Sequence, residues 1–156
     1  MGASPPHQRL LSARRPRARR NSVLNQIAAL EERIGVTFPE DYRQFLGAYN
    51  GGYFIDPAIE PVVDGCPQCY LTCMYGIGAS HPTAELARQS DLELFDDNDP
   101  PAIVPIGDTP MGSLILLITH ADGRGQILLK EAYGDSFFLA DGINEFFELL
   151  REPDKQ

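Results

Sequence analysis

Three cysteines and one histidine are the residues whose types and spacing could form a site. Cys66 and Cys69 make a Cys-x-x-Cys segment, Cys73 follows four residues later, and His81 lies eight residues beyond it. A structural zinc site takes four thiolate or imidazole ligands, and this set could supply them only if the segment folds back on itself. A reversible disulfide is a second interpretation. We favour a third, structural thiols in a hairpin, because Cys73 alternates within an apolar strand pattern. We therefore expect no metal and no cofactor.

No pattern in the chain is typical of a catalytic site. The sequence contains no G-x-S-x-G, H-E-x-x-H or Walker segment around its three histidines. His120 and Asp122 lie together in a turn, an ordinary arrangement that does not by itself indicate a proton relay. The adjacent acids Glu31-Glu32 and Asp96-Asp97 are interpreted as solvated charges. The expectation is a protein that is not an enzyme.

The acidic residues are unevenly distributed along the chain. Six arginines and no acids occupy the first twenty positions, so the remaining residues hold seven basic and 22 acidic groups, a formal charge of −15. Such a domain repels nucleic acid and attracts a basic protein. The densest acidic stretch is our candidate for partner binding, and its acids are Asp91, Glu93, Asp96, Asp97 and Asp99. An equal alternative is that this stretch is a solvated, flexible loop.

The composition divides the chain into one domain and two tails. Residues 1–21 are rich in arginine and proline and are predicted to be a disordered tail. One alternative is a patch that binds nucleic acid or a membrane surface. Another is that the start codon has been assigned too far upstream. Residues 22–152 form the domain and residues 153–156 a short C-terminal tail. The sequence shows no apolar segment long enough for a bilayer and no signal peptide, so we expect a cytoplasmic protein.

Helical periodicity predicts two helices at the start of the domain. Apolar residues at steps of three and four run from Val23 to Ile34, with Asn21 or Ser22 as the cap and Gly35 at the end. Pro39 then begins a second helix that carries Phe45 on its core-facing side, and an Asn-Gly-Gly segment ends it.

The rest of the domain alternates with the period of β-strands until its last helix. The predicted strands cover residues 53–55, 62–63, 70–74, 102–106, 113–119, 126–130 and 137–140, and residues 80–89 form a short helix. Asp141 caps a C-terminal helix with Ile143, Phe146, Phe147 and Leu150 facing inward. The pattern predicts an α+β fold: an N-terminal helical pair, a mostly antiparallel sheet of about five to six strands, and a C-terminal helix.

Several segments, in order, resemble the signature of the SUKH superfamily (the SMI/KNR domain). Residues 34–46 and 49–52 are similar to its "lg-lP-dyr-fl" and "NGG" motifs, and residues 74–78 to its "fyGig" motif. The hairpin of residues 105–116 and the segments 125–127 and 140–150 complete the order, so the resemblance covers residues 24–151. The chain departs from the pattern at Ser113, where Asn is usual, at Lys130-Glu131, where Trp-Asp is frequent, and in its Cys-x-x-Cys hairpin.

The resemblance implies a binding function and no reaction. Bacterial members of the superfamily are mostly immunity proteins of polymorphic toxin systems, which bind and block a cognate toxin, often a nuclease. Eukaryotic relatives act as interaction modules, including a fungal regulator of cell-wall synthesis. We therefore expect a non-catalytic immunity protein that neutralises a contact-dependent toxin. The alternative is a regulatory interaction module without a toxin partner.

Overall fold

The computed structural model describes residues 17–77, 86, 103–119, 123–132 and 134–152, with side chains from Leu24 onward. Its helices are α1 (Arg17–Ile34), α2 (Glu40–Ala48) and α3 (Ile143–Glu148). Its strands are β1 (Gly52–Tyr53), β2 (Ala58–Ile59), β3 (Cys69–Tyr70), β4 (Cys73–Met74), β5 (Ile103–Asp108), β6 (Leu114–Ile118), β7 (Ile127–Lys130), β8 (Ser136–Ala140) and β9 (Leu150–Arg151). The predicted α+β fold is confirmed.

The strands form two antiparallel sheets. The larger sheet has six strands in the order β1-β4-β5-β6-β7-β8, and the smaller has the order β3-β2-β9. A register shift interrupts the pairing of β5 with β6 between Pro105 and Gly107. None of the helices within the described ranges is both long and apolar enough to cross a membrane.

The core lies between one face of the larger sheet and the helices. Ile115 and Leu129 point from the sheet into it, and both side chains are fully buried. Phe45 of α2 and Phe147 of α3 meet there with ring centroids 5.0 Å apart, and Phe146 is also buried. The inward faces predicted for α2 and α3 are therefore confirmed.

Helix α1 begins earlier than predicted. The sequence placed its cap at Asn21 or Ser22, whereas the helix already includes Arg17. Arginine and alanine favour helix, which is consistent with helical residues before the predicted cap. At the other end, Gly35 adopts a φ of 78° as predicted, and its N–H bonds the Glu31 carbonyl at 2.9 Å.

The short strands are where the sequence-based prediction was wrong. Val62 and Val63 lie in no strand, and the predicted strand over residues 70–74 is split between the two sheets. Leu150 is buried as expected, but it belongs to β9 and pairs with Ile59 rather than extending the last helix. Two-residue strands are defined by their partners, so periodicity cannot locate them. The predicted helix over 80–89 lies outside the described residues except for Leu86, which is buried.

Helix α3 receives its cap from another helix. Asp141 was predicted to cap it, but the cap position is Gly142 and no side chain of its own segment bonds there. Instead, the Ile143 N–H donates to Oδ2 of Asp41, 102 residues earlier, at 3.2 Å. The carboxylate of α2 thus satisfies an N–H group at the start of α3 and complements the positive end of that helix.

We predict that Tyr42→Phe will raise the free energy of unfolding by about 1 kcal/mol. The Tyr42 side chain is fully buried, and its hydroxyl has no hydrogen-bond partner in the described part of the chain. Tyr75→Phe is the matched control, because the Tyr75 hydroxyl donates to Asp108 Oδ2 at 3.2 Å; we expect it to lower stability by about 1 kcal/mol. Urea denaturation measures both, and a loss of stability in Tyr42→Phe would contradict the prediction.

Candidate functional site

The residues that follow α2 form a backbone clamp. Asn50 and Gly51 both have positive φ, at 54° and 80°, which reverses the chain after the helix. The Asn50 side chain then holds a distant segment: its Nδ2 donates to the Ile77 carbonyl at 2.6 Å, and the Ile77 N–H donates to its Oδ1 at 2.7 Å. Asparagine suits this position because it tolerates positive φ and offers both a donor and an acceptor.

Glycines permit the close approach that this clamp requires. A Cβ on Gly76 would collide with the Asn50 carbonyl oxygen, and a Cβ on Gly107 would lie 2.7 Å from the Cys73 carbonyl oxygen. The predicted strand ended at residue 106, but β5 continues through Gly107, which lies against β4. Its role is therefore close backbone approach. These signature residues therefore make close backbone contacts within the fold.

The segment between α1 and α2 is held from two sides. Glu31 Oε2 accepts the Phe38 N–H at 2.7 Å, and the Arg43 guanidinium lies 3.5 Å from Glu31 Oε1. From the other side, the Arg124 side chain donates to the carbonyls of Thr37 and Phe38 at 3.1 and 3.2 Å. The prediction that Glu31 is a solvated charge was wrong, since this residue is only 9% exposed. The local pattern could not show this because the contact is made beyond the helix end.

A largely buried polar cluster lies on the face of the larger sheet opposite Ile115. Tyr53, Cys73, Asp108 and Leu114 are consecutive cross-strand partners, so their side chains share this face. The Cys73 thiol contacts Asp108 Oδ1 at 3.5 Å, and the Tyr75 hydroxyl donates to Asp108 Oδ2 at 3.2 Å. The sequence did not single out Asp108, whose only local signal is a carboxylate at the end of an apolar strand.

The electrostatics of this cluster keep the Cys73 thiol protonated at neutral pH. Burial and then the nearby Asp108 carboxylate raise the pKa of the Cys73 thiol to about 12. Burial, followed by Asp108, likewise raises the pKa of Tyr75. Burial raises the pKa of Asp108, while its hydrogen bonds to Cys73 and Tyr75 oppose that change. A thiol nucleophile needs a lowered pKa. The cluster is thus a hydrogen-bonded part of the sheet.

The Cys-x-x-Cys segment leads into the smaller sheet. Cys66 is half-buried, Cys69 is buried in β3 opposite Ile59, and Cys73 is buried in β4; all three are free thiols. Burial, reinforced by the neighbouring Cys66, raises the pKa of Cys69 to about 11. In the described ranges no three Cys, His, Asp or Glu side chains are grouped as metal ligands would be. His81, the fourth proposed ligand, lies outside the described residues.

The other candidate residues lie outside the described part of the chain. They are the acidic set Asp91, Glu93, Asp96, Asp97 and Asp99, together with His120 and Asp122. The acidic stretch therefore stays a prediction for partner binding.

We predict that Asn50→Ala will lower the free energy of unfolding by about 2–4 kcal/mol, because it removes both bonds to Ile77 and leaves alanine at a positive φ. Asn144→Ala, on the exposed side of α3, is the control and should change stability by less than about 0.5 kcal/mol. Urea denaturation of the two variants gives the comparison. Equal effects would show that the Asn50 clamp is not important for stability.

We predict that the three thiols will differ in reactivity toward iodoacetamide at a pH of about 8, with Cys66 at least about 100-fold faster than Cys73. Cys73 is 3% exposed and its raised pKa leaves little thiolate, whereas Cys66 is half-buried. Mass spectrometry of the labelled peptides over time measures each rate. The same labelling in concentrated guanidinium chloride is the control and should equalise the rates. Rapid native labelling of Cys73 would contradict the structure of the cluster.

Comparison with known proteins gives a curated relative and a family match. A protein of Bacillus subtilis (strain 168), named "SPbeta prophage-derived uncharacterized protein YokK", is 27% identical over 150 residues, covering 82% of this chain and 74% of that protein. The family model described as the SMI1 / KNR4 family (SUKH-1) matches residues 24–149, which include the α1–α2 segment, the Asn50 clamp and α3. The chain belongs to the SMI1/KNR4 (SUKH-1) family.

Proposed function

We propose that this chain is a non-catalytic, cytoplasmic immunity protein that binds a cognate protein toxin and blocks it. The observation that carries the proposal is the SUKH-1 match over residues 24–149, which spans nearly all of the predicted domain. SUKH domains generally act by binding other proteins. At the signature position Asn50, the side chain makes its hydrogen bonds inside the fold. This supports a partner-binding surface made of other residues.

The charge distribution supports a basic toxin, and we propose a nuclease. Outside its first twenty residues the chain carries a formal charge of −15. A nuclease must present a positive groove to nucleic acid, and an acidic protein that covers this groove mimics the charge of the substrate. Complementary charge also accelerates encounter between the two proteins. An inhibitor must act before the toxin damages its target, so fast association is an advantage.

Two carboxylates of this acidic domain are structural and do not contribute to a binding surface. Glu31 accepts the Phe38 N–H and Asp41 accepts the Ile143 N–H. In the proposed function, exposed acidic side chains contact the partner. The candidate named from the sequence is the acidic stretch, whose acids are Asp91, Glu93, Asp96, Asp97 and Asp99. Solvated charges of this kind change association rate more than folding stability.

Co-expression tests the proposed function. Each toxin domain encoded in the neighbouring genes is expressed in Escherichia coli with and without this chain. We expect the chain to restore growth with one of them and to form a one-to-one complex with an inactivated form of that toxin. A SUKH-1 protein from an unrelated gene neighbourhood is the control and should not protect. Failure to protect against any neighbouring toxin would contradict the immunity function and favour the interaction-module alternative.

We predict that the association rate of this complex will fall about tenfold between low and high salt, because exposed charges are screened beyond about 8 Å at physiological ionic strength. Stopped-flow mixing with the inactivated toxin measures the rate. A variant that combines Asp96→Asn, Asp97→Asn and Asp99→Asn tests whether the acidic stretch causes this salt dependence of the association rate. An association rate that does not depend on salt would exclude electrostatic steering.

A further inference from the structure

Two of the most exposed large apolar side chains of the described residues are located at the tips of two turns. Ile55, in the segment after β1, is 85% exposed, and Met111, in the turn between β5 and β6, is 82% exposed. Tyr53, next to the first of these turns, is 58% exposed. Single exposed apolar residues are ordinary on a protein surface, so their relative placement decides whether they form a surface that binds a partner.

The segment that carries Ile55 is held at both ends. The Phe54 N–H bonds the Thr72 carbonyl at 2.9 Å, and the Leu71 N–H bonds the Pro57 carbonyl at 3.0 Å. Phe54 and Pro57 are buried while Ile55 between them projects outward. The isoleucine is thus presented on a backbone that is anchored to the body of the domain.

The turn that carries Met111 is closed by three hydrogen bonds. The Thr109 N–H bonds the Ser113 carbonyl at 3.0 Å, and the Gly112 N–H bonds the Thr109 carbonyl at 3.1 Å. The Ser113 N–H also bonds the Thr109 hydroxyl at 3.1 Å, and the residues Thr109 and Ser113 are both buried. The methionine is therefore presented on a constrained turn as well.

Both turns lie at the same end of the larger sheet. The Thr72 carbonyl accepts the Phe54 N–H, and the Thr72 N–H donates to the Asp108 carbonyl at 2.9 Å, so one hydrogen-bonded row joins the two turns. Tyr53 pairs with Cys73, and Cys73 pairs with Asp108. The strands that lead into the two turns, β1 and β5, are two strand spacings apart because β4 lies between them. The turn backbones are therefore about 10 Å apart. We call residues 53–57 together with residues 109–113 the turn end.

The surroundings of the turn end are acidic. Residues 53–72 and 108–113 contain no lysine or arginine, and they contain Asp56, Glu60, Asp64 and Asp108. Glu60 is paired with Arg151 at 2.9 Å, and Asp108 is engaged in the polar cluster. Asp56 and Asp64 are exposed. Asp56 also has a φ of 29°, a conformation that residues other than glycine seldom adopt and that is frequent at functional sites.

We propose that the turn end is the docking surface for a basic protein partner, with Tyr53, Ile55 and Met111 as apolar anchors and Asp56 as the charged residue beside them. This assignment rests on the proposed function and names the surface that performs it. Tyrosine and methionine are enriched in protein interfaces, and anchors on constrained turns lose little conformational entropy on binding. The partner segment carries an apolar contact flanked by lysine or arginine, because the acidic charge beside the anchors attracts cationic side chains.

The test uses the full chain and the inactivated form of the toxin against which it protects. Methionine labelled with ¹³C at the methyl group provides three reporters, Met1, Met74 and Met111. We expect the Met111 methyl signal to shift or broaden on addition of toxin, while Met74, which is fully buried, changes little. This readout needs no substitution. An unchanged Met111 signal at saturating toxin would overturn the assignment.

Substitutions give the affinity. We expect Ile55→Ser combined with Met111→Ser to weaken the dissociation constant at least about 30-fold, mainly through faster dissociation, with an unchanged melting temperature. Asp56→Asn should slow association and flatten its salt dependence, and asparagine tolerates the positive φ at position 56. Leu24→Ser, at an exposed leucine of α1, is the matched control and should bind within about twofold of the native chain.

The outcomes separate the two proposals. Tight binding and protection by the native chain, with equal binding by the Ile55→Ser/Met111→Ser variant, would overturn the turn end and leave the immunity function standing. Loss of binding only in the Asp96, Asp97 and Asp99 variant would place the contact on that acidic stretch instead. If the native chain neither binds nor protects, the immunity function is wrong and this assignment is wrong with it.

Discussion

The side-chain amide of Asn50 joins two parts of the chain that are 27 residues apart, through hydrogen bonds of 2.6 and 2.7 Å to the backbone of Ile77. It acts where the chain leaves α2 and enters β1, so it determines how the helices meet the edge of the larger sheet. Gly76 has no side chain at the point where the two backbones touch. The contact fixes β1 beside β4, and the row that begins there continues through Cys73 to Asp108. The polar cluster around Asp108 and the turn end both depend on that row.

Carboxylates take two separate roles in this acidic chain. Glu31 and Asp41 accept backbone N–H groups of other segments, which joins α1 to the α2 entry and α2 to α3. Charged acceptors make stronger bonds than neutral ones, so these contacts are effective over long sequence separations. Asp108 likewise accepts a hydrogen bond from Tyr75 inside the sheet. Exposed acids such as Asp56 instead add to the negative field around the protein. Hydrogen bonds compensate the burial of the internal carboxylates, and water solvates the exposed ones.

The signature positions and the tips of the two turns depend on different interactions. Family-signature positions such as Asn50, Gly76 and Gly107 maintain close backbone contacts, and replacing them would disturb the fold. The turns that present Ile55 and Met111 are held by backbone hydrogen bonds, which depend little on the side chains at their tips. Side chains at such tips can change without loss of the fold. In the proposed docking surface, the side chains at the tips could therefore differ while the fold stays the same.

The sequence by itself determined the α+β class, the core-facing sides of α2 and α3, and the approximate positions of β5 to β8. These features rest on periodicity and turn residues, which act between near neighbours along the chain. Only the tertiary structure decided the short strands, the cap that Asp41 provides for Ile143, the burial of Glu31, and the cluster around Asp108. Each of these depends on a partner in another segment, up to 102 residues away for Asp41 and Ile143. Local propensity carries no information about such a partner, because the interaction exists only once both segments have been brought together by folding.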